Sequence, residues 1–193
     1  MKKSSNTIKV SYFFIFVFIY LFFTDCSTSK LSVCYNDKNA GFNGSFEFTQ
    51  NNLPVNWILY TAQTVPKGDF DIITDTVNYI EGEKSLHFVV RKCVSNGGRY
   101  SPGLSKELPA KQGETYNISF WIKNIGSEFI VKAGGVTGFG GKLQIIVQSE
   151  EQIESWKKFE SIYTIPSGMT ALRFEVNLLT PGSFWIDNVI ITK

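Results

Sequence analysis

The feature that most limits what this chain can fold into is a succession of short apolar runs, each alternating in polarity and each closed by glycine or proline. The runs cover 45–49, 56–62, 70–74, 85–93, 103–108, 116–123, 129–133, 143–149, 158–165, 171–178 and 183–192. Between them stand Gly97-Gly98, Pro102-Gly103, Gly134-Gly135, Gly140-Gly141, Pro166-Ser167-Gly168 and Pro181-Gly182. Runs of this length, rich in β-branched and aromatic residues and broken at regular spacing, specify an all-β sandwich. Only 150–155 has a helical look, for about one turn. The expectation is a β-sandwich of about ten antiparallel strands, with no internal repeat and no second domain.

Side chains alternate across a strand, so parity assigns each residue to a face. In 116–123 the core set is Tyr116, Ile118, Phe120 and Ile122, with Trp121 on the wetter side. In 171–178 it is Leu172, Phe174, Val176 and Leu178, leaving Arg173, Glu175 and Asn177 outward. The same count places Gln144 and Gln148 opposite Leu143, Ile145 and Val147, and His87 and Arg91 opposite Leu86, Phe88 and Val90. Sharing one sheet, these strands would present an outer face of amides, an acid, a guanidinium and an indole. Asp187 breaks the apolar run 183–192, and Glu47 breaks the opening run; a carboxylate is costly to bury unless something holds it.

The N-terminus reads as an export signal. Lys2, Lys3 and Lys9 lead into the apolar stretch Val10 to Phe23, which at ~1.5 Å per residue falls short of a bilayer core of roughly 30 Å. Thr24-Asp25-Cys26-Ser27 follows and resembles a bacterial lipoprotein signal, which implies lipidation at Cys26 and attachment at the cell surface, with plain secretion as the alternative. The organisation expected is a signal over 1–25, a tether over 26–40 with room for a short strand at 31–35, and one domain over 41–193. Removing 1–25 takes three of 19 basic residues and one of 17 acidic ones, leaving 16 of each. A neutral chain gives no electrostatic case for nucleic acid or an anionic membrane face as partner. Cys34 and Cys93 remain as a pair in an oxidising compartment, either bridged by a disulfide or present as two buried small residues.

Several segments in order are similar to the carbohydrate-binding modules of families four, nine and twenty-two, a β-jelly-roll group. They are Asn43-Gly44-Ser45-Phe46-Glu47 with Trp57, Gly82-Glu83-Lys84-Ser85-Leu86, and Leu104-Ser105-Lys106-Glu107-Leu108. Gly113-Glu114-Thr115-Tyr116-Asn117-Ile118-Ser119-Phe120-Trp121-Ile122-Lys123, Trp156-Lys157-Lys158-Phe159 and Phe184-Trp185-Ile186-Asp187-Asn188-Val189 complete the series. The resemblance implies that the sandwich is a jelly roll, with a structural calcium held by Glu47 and Asp187 and with Ser45, Glu81 and Lys84 supplying mainly backbone oxygens. It also implies a glycan ligand. By position Tyr100 would be the stacking platform, with Gln144, Gln148, Glu175 and Asn177 contacting hydroxyls and Arg91 and Trp121 added from parity. Phe139 is the best candidate for a second platform, and Trp57, Trp156 and Trp185 fall at framework positions.

Catalysis finds little support. His87 is the single histidine, and the chain has neither a Gly-x-Ser-x-Gly elbow nor a Cys-x-x-Cys pair. Gly138-Phe139-Gly140-Gly141-Lys142 lacks the spacing and the hydroxyl of a phosphate loop and reads as a hairpin. A protein-interaction or accessory domain is the alternative function; a glycoside hydrolase or lyase comes third.

Overall fold

A computed structural model describes residues 32–65, 67–95 and 100–193, and thirteen strands run through them. The signal stretch and Cys26 lie outside the described residues. Ten of the expected runs become β4 (Ile58–Tyr60), β5 (Asp69–Asp75), β6 (Ser85–Lys92), β7 (Gly103–Pro109), β8 (Thr115–Ile125), β9 (Phe129–Thr137), β10 (Gly140–Ser149), β11 (Ile153–Thr164), β12 (Ala171–Leu178) and β13 (Gly182–Thr192). Three strands of two residues each account for the excess over ten: β1 (Ser32–Val33), β2 (Thr49–Gln50) and β3 (Leu53–Pro54). A single 3-10 turn, Lys38–Ala40, is the helical content of the described residues.

All pairings are antiparallel. Six strands in the order β1-β4-β7-β12-β9-β10 form one sheet, five in the order β11-β8-β13-β6-β5 form the other, and β2 pairs with β3 in a small ribbon. Apart from the β5–β6 and β9–β10 hairpins, every connection from β4 to β13 crosses to the opposite sheet, which is the two-layer closure of a jelly roll. The inward faces meet as predicted by parity. Tyr116, Ile118, Phe120 and Ile122 from one sheet, and Leu172, Phe174, Val176 and Leu178 from the other, are all buried. Phe120 and Phe174 pack edge to face across the layers at 5.5 Å between centroids.

Four sequence expectations change. The run 45–49 is a turn, because Asn43 and Phe46 both take positive φ (55° and 58°). The Asn43 amide staples that turn by donating to the Phe48 and Val55 carbonyls and accepting the Phe48 N–H. Residues 153–155, expected in a helical turn, are extended in β11, where the pairing with β8 compensates the local preference through a register shift between Ile153 and Lys157. The stretch 32–40 is docked rather than a free tether: β1 pairs with β4, and the Asn56 N–H donates to the Tyr35 carbonyl at 2.6 Å. Cys34 and Cys93 are not bridged. Cys34 follows β1 at the edge of the six-stranded sheet, whereas Cys93 follows β6 in the other sheet and donates to the Leu178 and Leu179 carbonyls. The Gly138-Phe139 segment is the β9–β10 hairpin, as expected, and Phe139 at its tip is fully exposed.

Candidate functional site

The outer face of the six-stranded sheet carries a polar network where an outer face would ordinarily carry isolated solvated groups. Register puts Ile58, Ser105, Glu175, Lys132 and Ile145 side by side across β4, β7, β12, β9 and β10. The flanking rows hold Tyr60, Gly103, Asn177, Ile130 and Gln148 on one side, and Glu107, Arg173, Gly134 and Leu143 on the other. With strands ~4.8 Å apart, β4 to β10 spans roughly 19 Å.

Side-chain contacts knit the rows together. Lys132 Nζ pairs with Glu175 Oε1 at 2.8 Å, and Arg173 pairs with Glu175 Oε2 at 2.8 Å and Glu107 Oε1 at 3.4 Å. The Arg173 guanidinium also donates to the Tyr60 hydroxyl at 2.6 Å. Burial, reinforced by the Glu175 charge, pushes the Tyr60 phenol above its ordinary range, which keeps it a neutral hydroxyl. The floor is recessed: Glu175 is 8% exposed, Asn177 1% and Ser105 fully buried. Three buried polar atoms there, Arg173 Nε and both ends of the Asn177 amide, have no hydrogen-bond partner among the described residues. Unpaired buried polar atoms cost roughly 1–3 kcal/mol each, and a ligand hydroxyl would supply what they lack.

The sequence-predicted ligand set divides between the two sheets. Glu175, Asn177 and Gln148 lie on this face, where Gln148 donates to Glu128 at 3.1 Å. Gln144 does not: it pairs with Ala133 and shares that residue's side of the sheet, while Leu143 and Ile145 point outward. The register shift between Ile145 and Val147 then reverses parity and returns Gln148 to the outer face. Tyr100, half-exposed and at φ 60°, precedes β7 at the end where Gly103 meets Tyr60 and Asn177. Arg91 and Trp121 stand on the opposite sheet, so they cannot join this group. Arg91 is occupied by Asp69 at 2.6 Å and Asp71 at 2.7 Å. Parity within a strand was right for Arg91 and Trp121; membership of a sheet was not visible to it. Tyr60, Ser105 and Lys132 were missed, although Lys132, a lone cation inside the apolar run 129–133, gives the same signal that singled out Asp187.

The two lone acids meet on one turn. Asp187 is fully buried, and its Oδ2 accepts the Ile80 N–H at 2.8 Å and the Glu81 N–H at 3.2 Å, while Oδ1 accepts the Asn188 N–H. Glu47 Oε1 accepts the N–H groups of Glu83 and Lys84 at 2.9 and 3.0 Å. Gly82, at φ 70°, is required between them because a Cβ there would collide with the Glu47 carboxylate. The Val189 N–H donates to the Gly44 carbonyl at 2.9 Å and ties the closing strand to the opening turn. Burial, together with the Glu47 charge and against three N–H donors, lifts the Asp187 carboxyl to about 6. Lys84 places its ammonium on the Glu47 main-chain oxygen at 2.7 Å and not on either carboxylate. Asp187 is buried and Glu47 half-buried beneath this exposed turn, with no cationic side chain between them; the two carboxylates are hard oxygen donors of the kind calcium takes, and the main-chain groups that contact them are N–H donors. Among the described residues no third acid, histidine or cysteine joins them.

Beside that turn, Trp185 is buried between His87, stacked at 3.9 Å, and the Lys123 ammonium 5.0 Å from its ring. Its indole donates to Asp75 at 2.7 Å. Burial pushes His87 below its ordinary value, partly countered by Asp75. The single histidine is thus one layer of a packed stack.

A sequence model of a carbohydrate binding domain matches residues 38–182. No curated protein sequence matches the chain. Among solved structures, the CBM22-1 xylan-binding domain of Paenibacillus barcinonensis Xyn10C superposes with a TM-score of 0.54 at 16% identity, covering 77% of this chain and 90% of its own. The C-terminal family 22 carbohydrate binding module of Clostridium thermocellum Xyn10B gives 0.55 at 21%, with 77% and 90% covered. A CBM4 structure gives 0.55 at 17%, with 78% and 97% covered. At these identities the likeness is one of fold.

Proposed function

This chain belongs to the carbohydrate binding domain family and is a glycan-binding domain, and we propose that its ligand lies on the outer face of the six-stranded sheet, bound without bond chemistry. The observation that carries this reading is the recessed row Ser105–Glu175–Lys132 with the unpartnered Arg173 Nε and Asn177 amide beside it. Sugar hydroxyls both donate and accept, so each could satisfy one of these atoms. Tyr60 and Ile58 on β4, with Leu143 and Ile145 on β10, offer apolar flanks to sugar C–H surfaces on either side of the polar floor. The ion pairs fix the orientation of that floor before any ligand arrives, which reduces the ordering cost of binding. Both oxygens of Glu175 are already held by cations, an arrangement suited to accepting hydroxyl contacts and unsuited to transferring a proton to a leaving group.

Calcium, on this reading, is bound by the Glu47 and Asp187 carboxylates with main-chain oxygens of Ser45, Glu81 and Lys84, and its role is structural: it would neutralise the buried Asp187 and the half-buried Glu47 and join the opening turn to β13. Export and lipid attachment at Cys26 are supported by the N-terminal lysines, the apolar stretch and the cysteine that follows. They would hold the glycan at a cell surface.

The test is isothermal titration of the protein with xylohexaose, cellohexaose and mannohexaose, repeated with Arg173→Ala and Lys132→Ala. Binding of at least one sugar that weakens about tenfold or more in both variants is the expected result. Undiminished binding in both would remove the site from this face.

A further inference from the structure

We propose a second glycan-binding groove on the opposite sheet, formed by β8, β11 and β13. It goes beyond the site on the six-stranded sheet but rests on the same reading that this chain takes sugars.

Register again defines the surface. One outward row holds Ile162, Asn117 and Thr192, and the next holds Glu160, Ser119 and Ile190. These residues line a cleft of about 610 Å³, within the roughly 300–1,000 Å³ of ordinary ligand clefts. Its shape comes from a bulge: Asp187 pairs with Trp121 and Ile190 with Ser119, so Asn188 and Val189 of β13 together oppose Phe120 alone. A bulge bends its strand and re-aims the side chains beyond it. Here Asn188 takes φ 46° and the Val189 N–H is fixed to Gly44, so the bend is held in place.

The groove, like the first face, sets a hydrogen-bonding floor between apolar walls, but its floor is neutral where the other is an ion-pair network. Its floor is an amide and hydroxyls, Asn117, Ser119 and Thr192, whose side chains make no hydrogen bond among the described residues. Its walls are aliphatic: Ile162 is 70% exposed and Ile190 44%. Trp121, one step further along the same side of β8, is half-buried and continues the row with an indole. The facing charges cancel, because Glu160 is paired with Lys158 at 2.6 Å. An uncharged surface that alternates hydrogen-bonding groups with C–H walls complements a neutral polyhydroxylated chain, and it offers no field to an acidic or basic partner. Two such sites on opposite sheets would let one domain bridge two glycan strands, with avidity beyond either contact alone.

Nitrogen-15 amide spectra of the protein titrated with xylohexaose, cellohexaose and mannohexaose separate the two sites. Saturable shifts at Asn117, Ser119, Ile162 and Ile190 are expected, in addition to shifts around Arg173. Ile162→Asp and Asn117→Ala should each weaken the first group by about tenfold and leave the second group intact, with Arg173→Ala doing the reverse. Both groove positions are exposed, and an unchanged melting curve confirms that the variants fold. Shifts confined to the Arg173 face overturn the groove and leave the first site standing. Shifts confined to the groove sustain it and remove the first site, and no shift with any of the three sugars overturns both. If Ile162→Asp instead dissociates an oligomer in sugar-free sedimentation, the groove is a contact between copies and the proposal fails.

Discussion

Asp187 gives the most demanding prediction, because its carboxyl is raised from the ordinary ~3.9 to about 6 by burial and by the neighbouring Glu47. A proton is therefore held more tightly in the folded chain than in the unfolded one. In EDTA the associated stability is fully present below about pH 4 and is lost as pH rises through 6. Roughly two pKa units at about 1.36 kcal/mol each set the loss near 3 kcal/mol. Calcium binds the ionised form and reverses the trend: at about a hundredfold excess over its Kd it restores about 2.7 kcal/mol near pH 7.5. The assay is urea denaturation from about pH 4 to pH 8, in EDTA and in calcium, for the wild type and for Asp187→Asn. Subtracting the variant cancels the other carboxylates. A difference profile that stays flat from about pH 4 to 7 in EDTA would refute the argument from burial. A wild type indifferent to calcium at pH 7.5 would refute the metal.

Further expectations concern the core, a half-buried cation and the cysteines. Trp57, fully buried with its indole donating to the Asn43 carbonyl at 2.8 Å, should cost about 3–5 kcal/mol as Trp57→Ala in chemical denaturation. Lys106 lies 4.9 Å from the Phe42 ring centre and 5.3 Å from that of Trp57, and it donates to the Asn56 carbonyl. Burial holds its amine down at about 8, so the folded chain gives up that proton before the unfolded chain does. Stability should rise as pH goes from about 8 to about 10, and Lys106→Met should abolish the rise; equal slopes in the two proteins would contradict this. Because Cys34 and Cys93 are unbridged, dithiothreitol should leave the melting temperature unchanged, and a drop of several degrees would show a disulfide.

Much of this protein was legible in its residues. Period-two alternation between glycine and proline breaks located ten strands, since a strand face is a local property that neighbouring residues encode together. The core sets of β8 and β12 followed directly, and the out-of-place charges Glu47 and Asp187 marked a turn that needs them. What local pattern did not carry is which strands lie side by side. Arg91, Trp121 and Glu175 all point outward, yet β6 and β8 belong to one sheet and β12 to the other, and only the crossover connections decide that. Nor could alternation foresee the register shift in β10 that sends Gln144 and Gln148 to opposite sides. Hydrogen bonds to a partner strand fix such a shift, and that partner, β9, is chosen in three dimensions. The network of Tyr60, Ser105, Lys132, Arg173 and Glu175 exists for the same reason: it draws on β4, β7, β9 and β12, which antiparallel pairing alone brings together.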